Sequence, residues 1–134
     1  MIVADTNLVV YLYVETAKTP QARRAFQKDP AWAAPFLWRS EFRNVLTLYL
    51  RQGKLSLADA VRLAGEAQLF FLDKEWHVES EHVLRLVSSS RCSAYDCEFV
   101  ALAQQLGVRL VTTDDLILKE FPAVALSLDA FASE

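Results

Sequence analysis

The chain has 134 residues, of which 53% are hydrophobic, which is enough for one well-buried domain and too little for two ordinary ones. Its formal net charge of −3 excludes the strongly basic surface of a duplex-binding protein, so any contact with nucleic acid must be local or mediated by a metal. The N-terminus lacks the basic segment of a secretory leader, and no apolar run approaches the roughly 20 residues that span a bilayer. We therefore expect a single domain over residues 1–134 that is soluble and cytoplasmic and makes no membrane contact.

The chain opens with a short apolar run that ends on a carboxylate. Ile2, Val3 and Ala4 predict a buried strand, and Asp5 follows it directly, ahead of two small polar residues that can begin a helix. In open α/β sheets, ligands bind at the carboxyl ends of the strands. Asp5 is therefore either the cap of the next helix or part of a binding site.

The first half of the chain then combines helices with one short strand. Proline at a first helical position and glycine after a last one indicate where the helices begin and end. The predicted elements, in chain order, are a mostly buried helix over Leu8–Val14, a helix that begins at Thr19-Pro20 and ends at Asp29-Pro30, a strand at Trp32–Ala34 and a helix from about Phe36 to Gln52, opened by Pro35 and ended by Gly53.

The last of these helices carries a second informative acid, Glu41. Leu37, Val45 and Leu48 lie at i−4, i+4 and i+7 from it, so we expect Glu41 to lie on a stripe that otherwise faces the core. Asn44 lies close to the same face. A carboxylate on a buried stripe costs several kcal/mol unless it is paired or bound to a metal.

A salt bridge is the simplest role for Glu41. Its own helix offers Arg39, Arg43 and Arg51 as partners. Arg39 and Arg43 are only two residues away, however, and point to other faces, because side chains that meet on a helix are three or four positions apart. Neither arginine pairs obviously with Glu41, so a metal ligand stays open as its role.

The second half of the chain continues the alternation of helices and strands. Ser56 to Asp59 resembles a capping box and opens a helix. The apolar side of that helix is expected to contain Leu57, Ala60, Val61, Ala64 and Phe71. The further predicted elements are a short strand near Phe70–Leu72, a helix from about Val78 to Ser88, a helix from the cap Ser93 to Leu106, a strand at Val108–Val111, a short helix from Leu116 to Phe121, a strand at Ala123–Leu126 and one more turn in the tail.

Two more acids occupy informative positions in this half. Asp96 shares a helix face with apolar residues at i+3, i+4 and i+7, which are Phe99, Val100 and Ala103, so it too lies on a core stripe. Near the amino end of a helix, an aspartate can also simply complement the helix dipole. Asp114 comes after the strand predicted at Val108–Val111 and two threonines. This repeats the arrangement at the start of the chain, where a carboxylate follows an apolar strand.

Strands that alternate with helices predict an α/β protein with a parallel sheet covered on both faces, that is, a three-layer α/β/α sandwich with a mostly parallel sheet. Right-handed crossovers would place the first strand and the strand before Asp114 with their ends at one edge, so that Asp5 and Asp114 can meet. If Glu41 and Asp96 reach the same place, four carboxylates converge without a matching cation. Such a group raises its own pKa values unless a hard divalent cation neutralises it.

Oxygen-only ligands with room for water suit Mg²⁺ or Mn²⁺ better than zinc. The chemistry that such a site implies is the attack of metal-activated water on a phosphodiester. At this point four segments of the chain, in this order, resemble the PIN-domain family, particularly the VapC-like toxins of bacterial and archaeal toxin–antitoxin pairs. The segments are Val3–Asn7, Ser40–Leu46, Tyr95-Asp96-Cys97 and Leu110–Asp114.

The resemblance covers essentially the whole chain and implies a function. Members of the family are Mg²⁺- or Mn²⁺-dependent ribonucleases, so it implies an endoribonuclease toxin that hydrolyses RNA, usually as a homodimer, and that a cognate antitoxin protein silences. It also implies roles for residues. The catalytic and metal-binding acids would be Asp5, Glu41, Asp96 and Asp114, and the residues that orient them or bound water would be Thr6, Asn7 and Thr112.

One departure from the family concerns Asp115, where relatives commonly carry a basic or neutral residue. We prefer Asp114 as the metal ligand because it comes directly after the strand and its threonines. RNA contacts beyond the metal are expected from arginines near the helices that carry Glu41 and Asp96. The candidates are Arg39, Arg43 and Arg91, although exposed charges often serve only solubility.

Three other functions are compatible with parts of the pattern. A phosphatase of the haloacid dehalogenase type needs a second acid two residues after the first, where this chain has Asn7. A receiver domain needs paired acids after its first strand and a late lysine. A PIN-like module that binds RNA or protein without cleaving it is the strongest alternative, but such a module has no need to keep all four acids.

Overall fold

Five short parallel strands form the centre of the computed structural model, which describes residues 1–134. The strand order is β3-β2-β1-β4-β5, and every neighbouring pair is parallel. The α/β fold class is therefore confirmed, and the sheet that the sequence predicts as mostly parallel is parallel throughout. The strands are β1 Ile2–Ala4, β2 Trp32–Pro35, β3 Glu75–Trp76, β4 Leu110–Thr112 and β5 Ala125–Ser127.

Eight helices surround the sheet. They are α1 Thr6–Tyr13, α2 Thr19–Lys28, α3 Leu37–Arg51, α4 Leu57–Phe70, α5 Ser80–Ser88, α6 Ala94–Leu106, α7 Asp115–Glu120 and α8 Leu128–Ser133. The hydroxyl groups of Ser56, Ser93 and Ser127 accept hydrogen bonds from backbone amides in the first turns of α4, α6 and α8. Gly107 ends α6 with a φ of 67°, a conformation that glycine adopts without steric cost.

None of these helices combines the length and the hydropathy that a membrane span requires.

The core forms around the three central strands. All residues of β1, β2 and β4 are buried, as expected for parallel strands covered on both faces. Helix α6 packs against these three strands with five consecutive buried residues, from Phe99 to Ala103, and α1 packs against β1 and β4. This packing fixes the first turn of α6 and the start of α1 relative to the ends of β1 and β4.

The buried face of α3 differs from the predicted one. Trp38, Phe42 and Leu46 are buried, whereas Leu48, which the sequence places on the core stripe, is 53% exposed. The prediction was wrong because apolar residues occur on more than one side of α3, and the side that carries the large aromatic residues packs into the core. Glu41 consequently lies beside the core and not within it.

Two predictions for the segment after α3 are wrong in whole or in part. Of the apolar side predicted for α4, Ala60 and Phe71 are buried and Ala64 packs against the core, whereas Leu57 and Val61 are 70% and 65% exposed. The strand expected near Phe70–Leu72 does not form there, since α4 extends to its last residue Phe70, and the third strand is the two-residue β3. That strand exists because it pairs with β2, a long-range contact that no local pattern records.

Candidate active site

The ends of β1 and β4 open into a cavity of about 420 Å³ at the carboxyl edge of the sheet. Four carboxylates line it, each from a different part of the chain, and no lysine, arginine or histidine is among the lining residues. The lining residues are Asp5, Thr6, Asn7, Leu37, Ser40, Glu41, Asn44, Val45, Tyr95, Asp96 and Asp114. The structure thus brings together all four acids that the sequence singles out.

Asp5 takes its position from the register of the sheet. Its backbone N–H donates to the carbonyl of Val111 on β4 (3.1 Å), which continues the pairing of β1 with β4. Although Asp5 occupies the N-cap position of α1, its side chain makes no capping hydrogen bond. Instead its Oδ2 accepts a hydrogen bond from the hydroxyl of Thr112 (2.5 Å). Of the two roles that the sequence leaves open for Asp5, its side chain does not act as the cap, and it lines the cavity.

Thr112 connects two of the acids. The residue is fully buried, and its hydroxyl donates to Asp5 while accepting a hydrogen bond from the backbone N–H of Asp114 (3.0 Å). Since both partners of the hydroxyl are fixed, the direction of its proton is fixed as well. The carboxylate of Asp5 and the backbone of Asp114 are held at a set separation by one side chain.

A second threonine holds the third acid. Thr6, the first residue of α1, is 4% exposed, and its hydroxyl donates to Oε1 of Glu41 at 2.7 Å. This contact joins residues 35 positions apart and ties α1 to α3 at the cavity. Asn7 also lines the cavity, but no hydrogen bond links it to a carboxylate. Thr6 and Thr112 therefore each hold one carboxylate by a hydrogen bond, and the roles that the family resemblance implies for Thr6, Asn7 and Thr112 stay a prediction.

The remaining two acids lie at helix starts. Asp96 is in the first turn of α6, and its backbone N–H donates to the hydroxyl of Ser93 (3.1 Å). Asp114 caps α7, because its Oδ1 accepts from the backbone N–H of Ile117 (2.9 Å). Asp115 lines a separate cavity of about 130 Å³. Of the two neighbouring aspartates, only Asp114 faces the acidic cavity.

The acids disfavour one another's ionisation. Burial is the main cause that raises the pKa of Asp5, of Glu41 and of Asp96. The nearby carboxylates raise these pKa values further, with Asp114 acting on Asp96 and Asp5 acting on Glu41. Hydrogen bonds from the two threonines and from Ser93 oppose the effect without cancelling it. The cavity therefore concentrates negative charge that nothing in the chain neutralises.

The polar side chains of the cavity suit a hard divalent cation. They offer carboxylate, hydroxyl and amide oxygens, which fit such a cation and not zinc. No three acidic, histidine or cysteine side chains lie close enough together to hold one metal ion between them. The arrangement matches an ion that keeps several waters and takes one or two carboxylates directly, as Mg²⁺ usually does.

The arginines suggested as RNA contacts differ in their surroundings. Arg39 forms an ion pair with Glu75 (Nε to Oε2, 2.6 Å), and Arg91 forms one with Glu120 (2.7 Å). Arg43 has no carboxylate partner, and its Nη2 donates to the hydroxyl of the cavity residue Ser40 at 3.2 Å. Among the three, the structure brings only Arg43 into contact with the cavity.

Several lining residues were not predicted. Ser40 and Tyr95, which is 63% exposed, add hydroxyl groups to the rim of the cavity. Their sequence signal is weak: Ser40 and Asn44 are four positions apart on α3, and Tyr95 immediately precedes Asp96. Their position became clear only with the fold.

Comparison with known proteins gives a consistent result. The family model described as PIN domain matches residues 2–124. The protein named Ribonuclease VapC3 from Pyrobaculum aerophilum is 29% identical over 126 residues, which are 92% of this chain and 96% of that protein. The crystal structure of PAE2754 from the same organism superimposes with a TM-score of 0.76 at 21% identity and covers 99% of this chain and 96% of that one. The last similarity concerns the fold alone.

Proposed function

The chain belongs to the PIN-domain family, and on that basis we propose that it is a VapC-type endoribonuclease, the toxin of a toxin–antitoxin pair, which hydrolyses RNA phosphodiester bonds with Mg²⁺ or Mn²⁺. The observation that carries this proposal is the cavity lined by four carboxylates and no basic side chain. The similarity to a relative named as a ribonuclease supports the same activity.

The acids Asp5, Glu41, Asp96 and Asp114 would hold the cation, one or two of them directly and the others through its bound waters. When bound, a divalent cation activates water for attack on phosphorus and stabilises the charge that develops on the phosphoryl oxygens. The chain's own contribution is orientation. Thr112 and Thr6 fix one oxygen each of Asp5 and Glu41, so these carboxylates do not have to reorganise when the substrate arrives.

Charge also explains why a cation is needed for substrate binding. RNA phosphates are negative, and a cavity with four carboxylates repels them at short range. Arg43, whose guanidinium contacts the rim residue Ser40, is the nearest candidate to attract the RNA backbone from outside the cavity. The cation would therefore act at the cleaved bond, and Arg43 would attract the RNA backbone beside it.

The proposal extends to partners. The antitoxin and a second copy of the chain would each need an apolar surface, and Leu48 on α3 with Leu57 and Val61 on α4 are all more than half exposed. Action on cellular RNA would place the protein in the cytoplasm. Analytical ultracentrifugation of the purified chain measures the proposed homodimer directly.

The test is cleavage of total cellular RNA in Mn²⁺ by the wild type and by Asp96→Asn, with a chelator as a further arm. We expect discrete fragments from the wild type, and a loss of at least about a hundredfold in rate for Asp96→Asn, since even outer partners of a metal ligand are worth up to that much. The matched control is Asp115→Asn, because Asp115 lies outside the cavity and its loss should leave cleavage intact.

The result also decides between cleavage and binding. Fragments that persist in Asp96→Asn or in chelator would contradict the proposed site. No fragments from a wild type that binds Mn²⁺ and RNA would support a PIN-like binding module that does not cut.

A further inference from the structure

Two aromatic rings stack on each other at the same edge of the sheet as the acidic cavity. Phe36 directly follows β2, and His77 directly follows β3, its neighbour in the sheet. Their ring centroids are 4.5 Å apart, with an angle of 29° between the ring planes. Both residues are exposed. Because the strands are parallel, this pair, called here the Phe36–His77 stack, lies at the carboxyl edge together with Asp5.

A buried carboxylate holds the Phe36–His77 stack in place. The side chain of Glu75 is 7% exposed and accepts hydrogen bonds from Nε1 of Trp38 (2.7 Å) and from Nε and Nη2 of Arg39 (both 2.6 Å). The guanidinium of Arg39 in turn lies over the ring of Phe36, 5.7 Å from its centroid. Glu75 thus engages Nε and Nη2 of Arg39, and the guanidinium packs against the Phe36 ring of the stack before any ligand arrives.

The stack adjoins the cavity. Phe36 is the N-cap residue of α3, and Leu37 and Ser40 in the next turn line the cavity. One helical turn rises about 5.4 Å, so Phe36 lies within about one turn of two residues that line the cavity, whereas His77 lines a separate cavity of about 500 Å³. Arg43 lies at i+7 from Phe36, on the same side of the helix, and has no carboxylate partner.

We propose that the Phe36–His77 stack is a base-stacking platform that holds an unpaired nucleotide next to the cleaved bond of a single-stranded RNA. Proteins bind single-stranded RNA by stacking its bases on aromatic side chains beside cations that follow the backbone, and the stack and Arg43 supply both. Arg39 then acts as a positioning residue for Phe36 and does not contact phosphate. This inference rests on the proposed function, because it takes RNA as the substrate of the acidic cavity.

The experiment measures RNA binding in the Asp96→Asn background, which prevents cleavage. The probe is a fluorescently labelled single-stranded oligoribonucleotide, used intact and as a series with one abasic position moved along the strand. We expect His77→Ala to raise Kd about fivefold to a hundredfold, the range found for one base on one aromatic ring, and His77→Phe to restore binding. The matched control is His82→Ala, since His82 lines the same cavity as His77 but is bonded to Gln104 and lies outside the stack, so its loss should not change Kd.

The abasic series separates recognition from a merely structural role. In the parent, removal of one particular base should weaken binding, and in His77→Ala that penalty should disappear while the melting temperature is unchanged. Phe36→Leu provides a second variant with the same expected loss. Equal Kd values and an unchanged abasic pattern in both variants, or a parent that binds no RNA, would overturn the platform.

The two proposals fail separately. If the wild type cleaves total RNA but the stack variants bind like the parent, the nuclease stands and the platform is wrong. If the wild type does not cleave but its abasic penalty still depends on His77, the platform stands and the nuclease is wrong.

Discussion

This protein has carboxylates that are largely buried in two places, and they differ in whether a cationic side chain neutralises their charge. Glu75 accepts three hydrogen bonds, two of them from the guanidinium of Arg39, and these bonds from Arg39 are the main cause that lowers its pKa. Asp5 and Glu41 in the cavity accept hydrogen bonds from threonine hydroxyls only, and burial raises their pKa values. A carboxylate is thus stabilised as an anion where Glu75 meets Arg39 and destabilised as an anion in the cavity of Asp5 and Glu41.

The difference separates an acid that contributes to the fold from the acids that we propose hold a cation. Glu75 joins the short strand β3 to α3, and Arg39 of the same chain neutralises its charge. The cavity acids cost folding free energy as long as no cation is present, because their charges are partly desolvated and repel one another. Proteins tolerate local conflicts of this kind chiefly at functional sites.

The largest effect on stability should come from breaking the compensated pair. Arg39→Ala leaves Glu75, which is 7% exposed, without its cation, and we expect a loss of about 3 kcal/mol, near the low end for a buried pair because Arg39 itself is 36% exposed. Urea denaturation measures the loss. The matched control is Arg62→Ala, whose exposed pairs with Asp59 and Glu66 should be worth less than about 1 kcal/mol. Equal losses in both variants would contradict the comparison.

Adding a divalent cation should offset the folding free energy that the four cavity acids cost. At a Mn²⁺ concentration a hundredfold above Kd, binding to the folded state alone raises the free energy of unfolding by about 2.7 kcal/mol. A chelator should remove the gain, and Asp5→Asn should reduce it. Arg62→Ala, which lies far from the cavity acids in the chain, should respond to Mn²⁺ like the wild type. A melting temperature that is independent of Mn²⁺ in the wild type would remove the metal from the proposal.

The two groups should also respond to pH in opposite directions. Free carboxyl groups titrate near pH 4 in the unfolded chain. Because the cavity pKa values are raised, the folded chain binds more protons above that pH, so stability falls as pH rises. Glu75 has a lowered pKa, so its stabilisation is present above about pH 4 and is lost as pH falls through the folded pKa.

In chelator, therefore, the protein should gain stability as pH falls through the raised pKa values of the cavity acids and lose it below about pH 4. Urea titrations at a series of pH values measure the curve. Asp5→Asn should reduce the gain, and Glu75→Gln should reduce the loss on the acid side. A wild-type curve that shows no gain at any pH above about 4 would show that the folded state does not disfavour the cavity acids as anions.

The sequence predicted the positions of the cavity acids better than their surroundings. Asp5 and Asp114 each follow an apolar strand, and parallel strands end at one edge, so their proximity follows from local pattern and topology alone. The hydrogen bond from Thr6 to Glu41 could not be predicted in this way, since it depends on how α1 packs against α3. The core stripe assigned to Glu41 was wrong for the same reason.

Glu75 shows the limit most clearly. Neither the two-residue strand β3 nor the pair of Glu75 with Arg39, 36 positions away, has a local signal. The sequence offered Arg39 as an RNA contact because it lies close to Glu41 in the chain. Only the fold shows that the compensated acid is the one on the neighbouring strand.

The smallest expected effect is the most direct test of the uncompensated group. In chelator, Asp96→Asn loses an anion from the first turn of α6, where the helix dipole favours negative charge, but it also loses the repulsion by Asp114. The pKa of Asp96 is raised although its hydrogen bonds with Ser93 act to lower it, so the folded environment as a whole disfavours the ion. We therefore expect the free energy of unfolding, measured by urea denaturation, to rise by a few tenths of a kcal/mol.

The control variant is Asp115→Asn. It removes an anion from the first turn of α7 outside the cavity, so its free energy of unfolding should fall by a similar amount. The opposite signs carry the test: if both variants lose stability, the helix dipole outweighs the repulsion, and the cavity acids are not in conflict at Asp96.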